Sequence, residues 1–110
     1  MSKIYKITID KYKIIRWRFN GELHSLGDFP AVICANGTKY WYQNGKSHRD
    51  GNKPAVIYAD GTKFWCQHGK YHRLTGPAIK YLNGDVEYWI EGRRLFKEQF
   101  EERIKCLKKS

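Results

Sequence analysis

Three histidines, His24, His48 and His72, recur at intervals of 24 residues, and two of them are followed by Arg49 and Arg73. Imidazole is the commonest metal ligand and a frequent general base, so the recurrence first raises metal chemistry. Repeat geometry argues against it. Equivalent strands of successive hairpins lie about 10 Å apart. Two ligands of one zinc ion must approach within about 4 Å. The expected role is structural: each imidazole hydrogen-bonds the irregular loop before a Pro-Ala pair and satisfies backbone groups there. No metal and no cofactor are expected.

The remaining reactive groups do not assemble into a catalytic set. Ser25, Ser47 and Thr75 lack the sequence setting of an exposed nucleophile. Cys34, Cys66 and Cys106 are odd in number and lack CxxC spacing, so reduced thiols in a cytosol-like compartment are expected. The start of the chain, Met1 to Lys6, has no secretory-signal pattern, which agrees with a cytoplasmic location. The glycines follow hairpin turns instead of opening helices, so no phosphate loop is present. The expectation is a protein that is not an enzyme.

Basic residues give the stronger pattern. Lys and Arg outnumber Asp and Glu by 21 to 11, for a formal net charge of +10. Lys39 and Lys63 precede Trp41 and Trp65 by two residues, and Lys46 and Lys70 follow the next glycines. With Arg49, Arg73, Arg16 and Arg18 they define candidate binding stripes repeating at about 10 Å. Basic stripes interleaved with aromatic rings suit an acidic protein or nucleoprotein surface. They also suit nucleic acid directly, by following phosphates and stacking bases. Anionic lipid is a third possibility, disfavoured by the acids on the C-terminal amphipathic segment. The oligomeric state stays open.

These residues must be positioned by a repeat. The chain has 110 residues, 41% of them hydrophobic and 15% aromatic, enough for one small domain. Trp17, Trp41, Trp65 and Trp89 recur every 24 residues. Pro30, Pro54 and Pro77 recur with an alanine after each. Two sets of glycine turns keep the same spacing: Asn36-Gly37, Asp60-Gly61 and Asn83-Gly84, then Asn44-Gly45, His68-Gly69 and Glu91-Gly92. Together they predict a mainly β fold, a single-layer antiparallel meander of hairpin repeats. The repeats span 17–94, with capping strands at 1–16 and a capping helix at 95–110.

Finer expectations follow. A two-residue type I′ loop at Asp60-Gly61 pairs Ile57 with Phe64 and Val56 with Trp65. One face then carries Val56, Tyr58, Lys63 and Trp65 and is the core side. The other carries Ala55, Ile57, Phe64 and Cys66, and joins Ile33, Tyr40 and Tyr42 in an aromatic patch. In the third unit Trp89 is shifted by one residue, so Tyr88 takes the place of Trp65 and Lys80 faces Glu87. The front of the chain reads as a strand over Lys3–Ile9, a turn at Asp10-Lys11 and a strand from Tyr12 to Phe19. At the back, Phe96, Phe100, Ile104 and Leu107 fall at helical spacing.

The stretches Trp41-Tyr42-Gln43-Asn44-Gly45-Lys46-Ser47-His48-Arg49 and Trp65-Cys66-Gln67-His68-Gly69-Lys70-Tyr71-His72-Arg73 resemble MORN repeats. So do Asn36-Gly37-Thr38-Lys39-Tyr40 and Asp60-Gly61-Thr62-Lys63-Phe64. The resemblance covers about Trp17 to Arg93 and is closest to the divergent repeats of phages and large DNA viruses. Arg49 and Arg73 stand where the ordinary repeat has glycine. The resemblance implies β-hairpin repeats, a binding or scaffolding role, phospholipid contact in some members and no catalytic residues. It also implies a small viral accessory protein that docks on, and inhibits or modulates, a host factor in the host cytoplasm.

Overall fold

A computed structural model describes residues 4–109. Lys3, assigned above to the first strand, lies outside them, as do the outermost residues of the two expected caps. Among the described residues there are fourteen strands and one helix, joined as an antiparallel meander. The shape is a slab of 46 × 38 × 18 Å.

Each unit makes two turns. The first unit has β4 (Val32–Ile33), β5 (Lys39–Tyr40), β6 (Tyr42–Gln43) and β7 (Lys46–Ser47). The second has β8 (Val56–Ile57), β9 (Lys63–Phe64), β10 (Cys66–Gln67) and β11 (Lys70–Tyr71). They are preceded by β1 (Tyr5–Ile9), β2 (Ile15–Phe19) and β3 (Glu22–Leu23), and followed by β12 (Ile79–Lys80), β13 (Val86–Ile90), β14 (Arg93–Leu95) and α1 (Lys97–Lys108). The first hairpins pair side by side in chain order, forming the long sheet. The second hairpins form a parallel row, joined by Gly45 N–H to Leu23 O, Gly69 N–H to Ser47 O and Gly92 N–H to Tyr71 O, at 2.8–2.9 Å.

The two glycine sets make different turns. Asn44 and Gly45 have φ of 50° and 78°, and His68 and Gly69 have 51° and 82°. Both positions are left-handed, as a two-residue type I′ loop requires. At Asp60-Gly61 only the glycine is left-handed, with φ 97°. Asp60 Oδ1 accepts the Thr62 N–H at 2.8 Å, and Tyr58 N–H reaches Thr62 O across a three-residue loop. A short acidic or amide side chain caps the backbone two residues on, which favours this longer loop. Asn36 and Asn83 do the same.

The extra loop residue corrects the expected register. Val56 pairs with Phe64 and Ile57 with Lys63. A one-residue slip turns every side chain of a strand to the other face. Lys39, Ile57, Lys63 and Lys80 therefore share one face, and Tyr40, Val56, Phe64 and Ile79 share the other. Ile33 leaves the expected aromatic patch and pairs with Lys39. Lys80 pairs with Val86 and Lys63, not with Glu87. Arg73 N–H bonds Trp89 O as Arg49 N–H bonds Cys66 O, so Trp89 corresponds to Cys66 and Tyr88 to Trp65.

The core draws on both faces instead of one. Ala31, Ala55 and Ala78 are fully buried, and their carbonyls accept the N–H of Trp17, Trp41 and Trp65 at 2.7 Å. Val32, Val56 and Ile79 are buried from one side, and Trp41 and Trp65 from the other. Tyr81 and Val86 are exposed.

Both ends are shorter than the alternation suggested. Asp10 Oδ1 accepts the N–H groups of Tyr12 and Ile14, holding a turn that delays the second strand to Ile15. Leu95 ends β14, and the helix begins at Lys97, with Gln99 Oε1 accepting the Phe96 N–H. Phe100 is buried against Tyr88, ring centroids 4.7 Å apart, whereas Phe96 and Leu107 are exposed.

Candidate functional site

Four of the predicted site residues form clamps between units. Trp41 is buried, and the Arg49 guanidinium sits 3.8 Å from its ring centroid. Arg49 forks onto the Asp28 carboxylate at 2.9 and 3.1 Å and also reaches Pro54 O. The indole N–H donates to Asp28 O at 3.0 Å. One unit later Trp65 and Arg73 repeat the arrangement at 4.0 Å, with Asn52 in place of Asp28 and Pro77 O in place of Pro54 O. Stacked, doubly bonded guanidinium groups and buried indoles tie neighbouring loops together and offer no free ring for a base. Hydrogen bonds from Arg49, then from Lys53, hold the Asp28 carboxyl well below the usual carboxylate range.

The histidines link successive units through the next unit's turn, and His48 also bonds the expected loop before a Pro-Ala pair. Nδ1 of His24, His48 and His72 accepts the N–H of Asn44, His68 and Glu91, at 2.9–3.1 Å. Each donor is the first residue of the next unit's type I′ turn. His48 also bonds Asp50 through Nε2 at 2.8 Å. Among the described residues no group of three His, Cys, Asp or Glu side chains is arranged to hold a metal ion.

The other basic candidates separate. Arg16 pairs with Asp10 at 2.7 Å, and Arg18 leans on Thr8. Lys46 and Lys70 are exposed on the second row, their stems lying over the Cβ-free positions of Gly69 and Gly92. Lys39 and Lys63 are exposed on the long sheet, joined there by Lys80. Lys63 and Lys80 are direct cross-strand partners, and Lys80 Nζ lies 5.6 Å from the Trp65 centroid.

The face opposite the lysine row carries a groove of about 540 Å³. Its walls are six half-buried rings in one unbroken series: Tyr42, Tyr40, Tyr58, Phe64, Tyr71 and Trp89, with successive centroids 5.1–6.4 Å apart. Four of these contacts are edge-to-face and the Tyr40–Tyr42 pair is stacked; aromatic pairs of either kind each contribute about 0.5–1.5 kcal/mol beyond area burial. Val56 and Cys66 lie at its bottom, with Lys70 and Gly92 at one side. Burial pushes up the hydroxyls of Tyr40, Tyr42 and Tyr71 and the thiol of Cys66, so these four groups stay uncharged at physiological pH.

No protein-family model, curated protein or solved structure matches the chain. Among the described residues no helix is long and apolar enough to cross a membrane.

Single-residue reasoning missed Asp28, Asn52, Tyr58, Tyr71, Lys80 and Trp89. The repeat held a signal for some of them. Asp28 precedes Arg49 by 21 residues, as Asn52 precedes Arg73, each just after a glycine. Lys80 stands where the earlier units carry Ile33 and Ile57. Tyr58 joins the groove only through the corrected register, and Tyr71 joins it through its pairing with Cys66 in the second hairpin.

Proposed function

We propose that the chain is a non-enzymatic binding module that seats an extended, acidic segment of a protein partner in the aromatic groove. The observation that carries the reading is the series of six part-exposed rings running across three units, with Lys70 in the lining. Large apolar grooves with charged rims are where partners dock, and rigid aromatic rings anchor them at low entropic cost. The formal charge of +10 favours an acidic segment and speeds its encounter. The likeness to MORN repeats extends the proposal to a small phage or viral accessory protein that modulates a host factor. Affinity capture with the wild type and with Tyr58→Ala, both after nuclease treatment, tests it. One defined partner must be retained by the first and lost by the second. Equal recovery by both contradicts the groove.

A second reading has its own observation. Like charges directly opposite in a sheet repel, yet Lys63 faces Lys80, with Lys39 two strands away. No acid pairs with these three among the described residues. Such a row suits the phosphates of a nucleic acid. Oligonucleotide titration over a salt series tests it: a steep salt slope that flattens in Lys39→Glu/Lys63→Glu supports direct binding.

A further inference from the structure

The groove includes a position where the repeat breaks its own pattern. Tyr42 O, Cys66 O and Trp89 O each accept a backbone N–H from the preceding unit, from Ser25, Arg49 and Arg73. The three residues therefore occupy one position in successive units. Two of them carry rings; the middle one carries a thiol. Cys66 is 4% exposed and lines the cavity as a small side chain, a notch in the ring-bearing position, with Tyr58, Phe64 and Tyr71 around it and Gly69 and Gly92 adding no side chain to the lining.

We infer that this notch receives one aromatic side chain of the partner, which packs against the ring series, and that Asp or Glu residues flank that side chain. The inference rests on the groove reading above and names the recognition element within it. Its chemistry follows from the walls. Ring edges and faces at 5–6 Å centroid spacing welcome a further ring in the same tilted packing. No buried side-chain polar atom among the described residues lacks a partner, so the notch asks its occupant for no hydrogen bond. The Cys66 thiol, held protonated by burial and with Ser47 beside it, is a floor and not a nucleophile. Aromatic cages of similar composition also take cations, but here Lys70 lines the cavity and the net charge is +10. Both features repel a cation and attract acids on either side of an inserted ring.

The test uses the full chain and fluorescein-labelled nine-residue peptides, followed by anisotropy at low salt. One carries a central tryptophan between glutamates, a second alanine between glutamates, and a third tryptophan between lysines. The first must bind at least about tenfold more tightly than either of the others, the scale of a central anchor residue. Cys66→Tyr fills the notch with the residue that the preceding unit carries there, and must weaken the first peptide by about tenfold or more. Lys97→Glu, at an exposed position of the terminal helix, must leave the preference for tryptophan over alanine unchanged. Amide shift mapping on the wild type gives a readout that needs no variant: the changes must centre on Cys66, Gly69 and Gly92. Equal binding of the tryptophan and alanine peptides, no saturable binding of the first, or shifts centred elsewhere overturns the inference. A captured partner lost on Tyr58→Ala but kept by Cys66→Tyr removes the notch and leaves the groove standing; one kept by both variants removes both.

Discussion

The guanidinium of Arg49 lies 3.8 Å from the ring centroid of Trp41 while its other nitrogens grip a carboxylate and a carbonyl of two different loops. A cation held this way acts through its planar, forked shape as much as through its charge. Arg49→Lys keeps the charge and loses the fork, and is expected to cost about 1–3 kcal/mol in urea denaturation. A loss no larger than that of a substitution at exposed Lys39 contradicts the clamp.

Acid acts on the same clamp. Asp28 binds its proton less readily in the folded chain than in the unfolded one, because Arg49 first and Lys53 second hold its carboxylate. Its contribution is therefore complete above the ordinary carboxylate range and declines as the pH falls through that range and below it. The thermal midpoint of the wild type should fall more steeply than that of Asp28→Asn between about pH 6 and pH 3. Parallel curves exclude this role for Asp28.

Removing the His48 acceptor strands an N–H in the next unit. His48→Leu fills similar space but leaves His68 N–H without Nδ1. A loss of about 1–3 kcal/mol is expected, with faster hydrogen exchange concentrated at His68. Uniform acceleration across the chain points instead to a global packing defect.

Lys63→Glu should stabilise the fold while weakening any phosphate binding. Replacing a like-charged partner of Lys80 by an opposite charge is worth about 0.2–1 kcal/mol. The outcome is read as a higher thermal midpoint together with weaker oligonucleotide binding; a lower midpoint removes the repulsion from the account.

Phe100→Ala should uncover Tyr88 and cost about 3–5 kcal/mol, as for other buried aromatic truncations. Circular dichroism will show whether the helix itself is lost. An unchanged midpoint means that the helix is no cap.

The meander, its two glycine turns per unit and the terminal helix were legible because each has a local cause: β-rich runs, positive-φ glycines, and apolar residues at helical spacing. The register was not. Asp60-Gly61 suits both a two-residue and a three-residue loop, and the choice depends on the Asp60 carboxylate capping Thr62 N–H. That single bond decides which face Phe64 and Lys63 take, and with it the composition of the groove and of the lysine row. Trp41, Trp65, Arg49 and Arg73 stand among the candidate binding residues, and the structure packs them against one another in pairs. Spacing shows that an arginine and an indole recur together, whereas burial of the indole is a tertiary fact. The histidine partners were hidden for the same reason, since Asn44, His68 and Glu91 share no side-chain chemistry and contribute only their backbone N–H.

The carbonyls of Leu23, Ser47 and Tyr71 each receive a glycine N–H from the following unit. Every copy thus ends in the socket that its successor plugs into. Duplication or deletion of a whole 24-residue module creates no unfamiliar junction, so the reach of the molecule can change in whole steps while its terminal closures remain as they are.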